Sequence, residues 1–287
     1  MSKKLHAIIY ADDTSLFLSG DNIENLCNAL NTELKKVSGW FASNKLKINL
    51  AKTSCMLFQP KNKNINIADI NIFIDNVHIP LVHSTHFLGV VLDDKLSWKD
   101  HINEIACKVS KVIGAINRLK KVLPYTILVN IYQSMIMPYL SYCNIVWGSC
   151  ASTHLNRILL LQKRAMRIIT GSAPLSHTDP LFQKVNQLKV QDINNLQTVN
   201  FMFSYLHNLL PMFLGDCFRE NCSFVPYSTR QSNHIQIPKF KYEFSRTTIR
   251  YSGPKLWNSL ESEIKNCPSL SSFKRKYKSK LITSYTQ

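Results

Sequence analysis

The apolar positions change period several times along the chain, and each change marks an element. Residues 5–10 and 16–18 are short runs rich in strand formers, with Asp12 and Asp13 lying where a tight turn would join them. The spacing then becomes helical: Ile23, Leu26, Cys27, Leu30, Leu34 and Val37 share one face, and Asp21 with Glu24 three residues on makes a capping-box-like start. This helix is expected to pack on the sheet that carries the hairpin. Residues 47–58 and 71–79 read as strands joined by a polar surface loop at 61–66, and residues 87–92 as a further short strand before a turn.

From Ser97, an N-cap candidate with Asp100 three residues on, one stripe holds Ile102, Ile105, Val109, Val112, Ile116 and Leu119. The opposite face carries Lys108, Lys111, Arg118 and Lys121, either a solvated face or a surface for a polyanion. A second basic amphipathic segment, residues 155–169 with Arg157, Lys163, Arg164 and Arg167, repeats the logic. Gly171-Ser172, Pro174 and Pro180 suggest a boundary near residue 172. Beyond it, Ile193, Leu196, Val199, Phe203 and Leu206 fit another helix, ended by Leu210-Pro211. Residues 221–250 are polar, aromatic and basic without a clear period, fitting a loop-rich connection or strands of a small C-terminal module. Trp257, Leu260 and Ile264 suggest a short helix before the basic end.

Composition adds a partner class. With 287 residues and 45% hydrophobic content the chain can bury a sizeable core. Its 35 Lys+Arg against 18 Asp+Glu give a formal net charge of +17, an excess that attracts polyanions through salt-sensitive phosphate contacts. Aromatics interleave with basic residues at Lys239-Phe240-Lys241-Tyr242 and Phe273-Lys274-Arg275-Lys276-Tyr277-Lys278, which suits base stacking or a solvated tail with snorkelling stems. No apolar run reaches the roughly 18 residues of a membrane span, so an intracellular protein without membrane contact is expected. The eight cysteines are scattered and read as reduced core thiols. Cys217, Cys222 and His234 alone approach a metal-like spacing, without an evident fourth ligand. His83 and His86 read as polar surface.

The chemistry-bearing feature is Tyr10-Ala11-Asp12-Asp13. Adjacent carboxylates repel each other, and a divalent cation removes the conflict. Mg²⁺ is commonly held by one or two carboxylates plus substrate phosphates, and a pair of such ions roughly 3.5–4 Å apart can clamp an in-line phosphoryl displacement. An exposed Asp-Asp turn without chemistry is the bland alternative.

Tyr10-Ala11-Asp12-Asp13-Thr14 resembles the catalytic hairpin of reverse transcriptases, and the motifs downstream of it are similar, in order, to those of the non-LTR retrotransposon (LINE-type) branch. Trp40 with Asn44-Lys45-Leu46-Lys47-Ile48-Asn49 and Lys52-Thr53 is similar to the fourth palm motif. Phe87-Leu88-Gly89-Val90, leading into Leu92-Asp93-Asp94 and Leu96-Ser97-Trp98 with His101-Ile102, is similar to the primer-grip motif. Tyr142 with Trp147-Gly148, then Ser252-Gly253-Pro254-Lys255-Leu256-Trp257-Asn258 with Pro268-Ser269-Leu270 and Phe273-Lys274, resemble the tails of such elements.

The resemblance implies an α+β fold: part of a polymerase palm over residues 1–95, an antiparallel sheet with a packed helix, then a helical thumb-like region over 96–172 and a basic C-terminal region of helices and loops over 173–287. It implies that Asp12 is a metal ligand and Asp13 its weaker partner, for Mg²⁺ or Mn²⁺. Tyr10 and Ala11 shape the strand end near the primer terminus, Phe87, Leu88 and Gly89 hold the primer, and Lys108, Lys111 and Arg118 track the duplex. Lys52 either approaches the leaving phosphate or caps its local turn. The implied partners are an RNA template and a DNA primer or target DNA. In the family, fingers and a first metal-binding Asp precede the hairpin, whereas nine residues precede Tyr10 here. The expectation is therefore a C-terminal fragment of an RNA-directed DNA polymerase, catalytically incomplete alone, for which the missing N-terminal palm and fingers would be a partner. The alternatives are a non-enzymatic basic nucleic-acid-binding fragment and the product of a decayed element.

Overall fold

The computed structural model describes residues 5–59, 70–215, 217–219, 234–241 and 243–286. The protein is helix-rich with small antiparallel sheets, and its chain divides into two compact units, Met1–Ser97 and Trp98–Gln287.

In the first unit, β1 (His6–Tyr10) and β2 (Asp13–Phe17) form a hairpin in which Tyr10 pairs with Asp13 and Ala11-Asp12 make the turn. Helix α1 (Ile23–Ser43) starts at Asn22, whose side chain accepts from the Asn25 N–H, so the cap is Asn22 and not Asp21. The predicted strand at 47–58 is absent: turns at Asn49–Thr53 and one isolated bridge, Cys55 to Leu81, replace it. Residues 71–79 divide into β3 (Phe73–Ile74) and β4 (Val77–His78) around Asp75 and Asn76, both at positive φ, as a two-residue hairpin turn demands. Likewise 87–92 is not one strand. β5 (Ser84–Phe87) and β6 (Val90–Asp93) are joined by Leu88-Gly89, again both at positive φ.

Among the described residues the three hairpins are separate two-stranded sheets. Helix α1 packs on β3, in a sheet separate from the first hairpin, while Leu16 of that hairpin shares its core cluster. There Cys27 and Leu34 of the helix meet Ile70, Ile72, Ile74 and Ile79. The Asn31 side chain ties helix to strand by donating to the Asn71 carbonyl and accepting from the Phe73 N–H, which occupies the strand edge as a neighbouring strand would.

The second unit is helical. α2 (Lys99–Leu119) begins at Trp98, in the left-handed region and without a side-chain cap, so the cap is not Ser97. Its stripe is buried over Ile102, Ile105, Val109, Val112 and Ile116, whereas Leu119, the last of the predicted stripe, is exposed at the helix end. α3 (Tyr125–Met135), α4 (Met137–Ser141) and α5 (Asn144–Trp147) come next, then α6 (Ser152–Thr170), which buries Leu155, Ile158, Ala165, Met166 and Ile169 and packs against α2. After α7 (Asp179–Val185) comes α8 (Val190–Leu206), over the stretch where a helix is predicted. The short helix predicted around Trp257 is two, α9 (Ile249–Asn258) and α10 (Ser262–Lys265), before α11 (Leu270–Thr283). Trp257 and Phe273 stack beneath Phe203 at the centre of the C-terminal core. Residues 61–66 and 221–233, Cys222 among them, lie outside the described residues.

Candidate functional site

The β1–β2 tip presents two carboxylates to solvent. Asp13 closes the strand pair opposite Tyr10, and Asp12 occupies the turn. Ala11 takes φ 51°, a region that costs a residue with a Cβ roughly 1–2 kcal/mol. Strain at a hairpin tip is a feature that sites keep when the backbone conformation itself is useful. Neither carboxylate has a hydrogen-bond or ion-pair partner among the described residues. Tyr10 is 65% exposed and Ile9 64%, so an apolar surface flanks the acids.

Two partnerless neighbouring carboxylates fit a hard divalent cation that draws its other ligands from phosphate and water. Among the described residues no group of three His, Cys, Asp or Glu side chains gathers to hold a metal, so the protein's contribution here is this pair. Cys217 and His234 are described and Cys222 is not.

Lys52 is exposed in the turn after Asn49, where its N–H donates to the Asn49 carbonyl at 3.1 Å. It is the Lys52 backbone that serves this turn, and the ammonium has no partner among the described residues. Phe87, Leu88 and Gly89 form the tip of β5–β6. Leu88 at φ 46° is strained, and Gly89 at φ 79° takes without cost a conformation that L side chains rarely adopt. The tip is followed by Asp93, which is buried and accepts from the Ser97 N–H at 2.9 Å and the Lys95 N–H at 3.2 Å. The Asp93-Asp94 pair thus has structural work: Asp94 meets His83 Nδ1 at 3.0 Å. The hairpins β1–β2 and β5–β6 are not joined in one sheet.

On α2, Lys108, Lys111 and Arg118 are all exposed. Lys108 is engaged by Glu104 at 2.5 Å, a hydrogen bond that holds its ammonium above the ordinary lysine range, and it lies 5.5 Å from the Tyr139 ring centre. Lys111 and Arg118 have no partner among the described residues. On α6, Arg157 reaches Asn103 of α2, and Arg167 Nε donates to the Ser176 carbonyl at 3.0 Å, so part of the second basic face is committed internally. Among the described residues no helix is long and apolar enough to cross a membrane.

Sequence reasoning missed a buried amide network and a lysine-rimmed cleft. Gln162, fully buried, donates to Tyr132 Oη at 2.9 Å and to the Leu188 carbonyl at 3.1 Å and accepts from the Val190 N–H at 2.8 Å. Asn194 and Gln197 of α8 donate to the Asn144 and Ser141 carbonyls, tying α8 to the α4–α5 corner. An amide in a basic helix gives no sequence signal of burial. The cleft, at the ends of α2 and α6, draws its lysines from separated stretches of chain.

Beyond these motifs, the chain is similar over more than half its length to polymerases of mobile elements. Over 170 residues it is 29% identical to the RNA-directed DNA polymerase from mobile element jockey of Drosophila melanogaster, a match covering 57% of this chain and 18% of that protein. It is 28% identical over 166 residues to the jockey polymerase of Drosophila funebris, again covering 57% of this chain and 18% of that protein. It is also 24% identical over 166 residues to the probable RNA-directed DNA polymerase from transposon X-element of Drosophila melanogaster, covering 56% of this chain and 18% of that protein. The chain therefore spans less than a fifth of the length of these curated relatives. No protein-family model matches it, and no solved structure gives a significant match.

Proposed function

We propose that the chain is part of an RNA-directed DNA polymerase of the non-LTR retrotransposon kind, in which the β1–β2 tip supplies two of the metal-binding carboxylates. The observation that carries this reading is the tip itself: two adjacent, exposed Asp side chains, without a partner among the described residues, on a turn whose Ala11 is held at positive φ. The similarity to mobile-element polymerases supports it.

In this reading residues 1–95 contribute to the palm, residues 96–172, with α2, act as a thumb, and 173–287 is a basic C-terminal region. Asp12 is the principal ligand for Mg²⁺ or Mn²⁺ and Asp13 the weaker one. The bound metal would lower the cost of the 3′-hydroxyl attack and of pyrophosphate departure. Tyr10 and Ala11 hold the strand end beside the primer terminus, Phe87, Leu88 and Gly89 grip the primer, and Lys52 offers its exposed ammonium to the leaving phosphate. Lys111, Arg118 and, more weakly because Glu104 engages it, Lys108 follow the backbone of an RNA–DNA duplex through phosphate contacts. A second reading, a nucleic-acid-binding protein without catalysis, is favoured by the basic faces of α2 and α6, which need no metal to hold phosphate.

The test compares the chain with Asp12→Asn/Asp13→Asn. Mn²⁺ relaxation enhancement and primer-template binding are measured on both, with nucleotide incorporation in parallel. The expected result is loss of Mn²⁺ binding, with salt-sensitive primer-template binding kept. Unchanged Mn²⁺ binding, or incorporation that survives the double substitution, overturns the metal assignment.

A further inference from the structure

Between the ends of α2 and α6 and the start of α3 lies an open, shallow cleft of about 580 Å³. Its floor is apolar, with Leu123, Leu128, Ile168 and Ile169. Lys120 and Lys121 rim it from the end of α2, Lys184 from α7, and Tyr125 from the first position of α3. Tyr125 is 39% exposed, Lys120, Lys121 and Lys184 are exposed, and no acidic side chain is among the lining residues.

Lysines at helix ends have an ordinary explanation, since each helix C-terminus carries about −0.5 charge. The magnitudes show that this does not exhaust them. The ends of α2 and α6 supply about −1 together, and the seven-residue α7 less than a full share, against three formal positive charges. Roughly two positive charges are left over a concave apolar floor, beside an accessible aromatic ring. The start of α3 has no side-chain cap.

We propose that this cleft binds a short stretch of single-stranded nucleic acid, with a base stacked on Tyr125 and adjoining phosphates on Lys120, Lys121 and Lys184. A flat base on a ring face with separated ammoniums tracking the backbone is the general chemistry of single-strand grooves. The concavity disfavours a lipid surface, which needs protruding apolar groups. An acidic peptide would use the lysines but not the ring face. The inference rests on the proposed function only in taking nucleic acid as the partner, and it adds the Tyr125 ring and Lys184 of α7 to lysines at the end of the basic face of α2.

The experiment measures fluorescence anisotropy of a labelled oligouridylate and of a labelled duplex of equal length with the full chain, as a function of salt. Tyr125→Ala is expected to weaken single-strand binding by about tenfold, as loss of one stacked base does, while duplex binding changes less than about twofold. Tyr125→Phe keeps the ring and binds as the parent does. Lys120→Gln/Lys184→Gln lowers the single-strand salt slope by about 1.4, two phosphate contacts at about 0.7 each. Equal single-strand affinity in parent, Tyr125→Ala and the lysine variant overturns the cleft assignment. So does a lysine variant that loses capture by phosphatidylserine vesicles but keeps the oligonucleotide. A parent chain that binds neither probe at low salt overturns the cleft together with the proposed function, which distinguishes that failure from the cleft's own.

Discussion

Gly148 shows how tightly the second unit is specified, and Gly148→Ala should be among its most damaging small substitutions. A Cβ built there would stand 2.4 Å from Asn144 Oδ1, 2.5 Å from Asn194 Nδ2 and 2.6 Å from the Asn144 carbonyl oxygen. Rotating a side chain away does not relieve this, because the third contact is backbone and that carbonyl accepts from both the Gly148 N–H and Asn194. Either α5 shifts, an overpacking cost of about 1–3 kcal/mol, or Asn194 withdraws and leaves buried polar groups unpaired at about 1–3 kcal/mol. Since the crowding falls on both, the expected destabilisation is about 2–6 kcal/mol. Urea unfolding of the chain, followed by tryptophan fluorescence and far-UV circular dichroism, reads it as a lowered midpoint. Gly114→Ala is the control of opposite sign. It sits inside α2 with nothing within 4 Å of where a Cβ would stand, and it should stabilise by about 0.5–1 kcal/mol. A Gly148→Ala midpoint within error of the parent, or a Gly114→Ala change of equal sign and size, would refute the steric argument.

Three other sites give expected outcomes of their own. Gln162→Leu removes three hydrogen bonds around a fully buried amide and leaves the Val190 N–H and the Leu188 carbonyl without that partner, so about 2–5 kcal/mol should be lost in the same unfolding assay. Leu88→Asn places a residue tolerant of the left-handed region at φ 46° and should stabilise the first unit by about 1 kcal/mol, a gain that differential scanning calorimetry would show and whose absence would mean that Leu88 packing outweighs the strain. Burial pushes the Cys150 thiol up to about 11, so at pH 8 only about one molecule in a thousand carries the reactive thiolate there. Mass spectrometry after brief iodoacetamide treatment should find the exposed Cys107 alkylated well before Cys150, with Cys150 gaining rate as pH rises.

The helices with long apolar stripes were legible because the period survives over several turns: Ile102 to Ile116 on α2 and Ile193, Val199 and Phe203 on α8 are buried as their spacing predicts. The β5–β6 turn was not, because its positive φ falls on Leu88, a residue type that does not announce it, and because Ser84, Thr85 and His86 are too polar to stand out as a strand. Helices α3 to α5 escaped for a different reason. Tyr132, Ile136 and Leu140 are fully buried at spacings of four, but Pro138 divides the segment and the pieces are short.

Two kinds of motif stand apart among those that carried the family resemblance. Trp147 is fully buried with its Nε1 donating to the Tyr142 carbonyl at 2.8 Å, and Gly148 has no room for a Cβ. Trp257 stacks on Phe273, the Asn258 amide pairs with both the N–H and the carbonyl of Ile235, and Ser269 caps α11 by accepting from the Ser272 N–H. Every one of these residues is accounted for by packing or capping, so the tail motifs report packing and say nothing direct about chemistry. The Asp12-Asp13 tip is the opposite case. Packing does not require it, neither carboxylate has a partner to lose among the described residues, and its turn is held at a conformational cost. A double Asp→Asn change there should leave stability within about 0.5 kcal/mol of the parent, as exposed substitutions do. A large loss of stability would instead place the tip with the tail motifs, as a structural turn, and remove the ground for assigning it a metal.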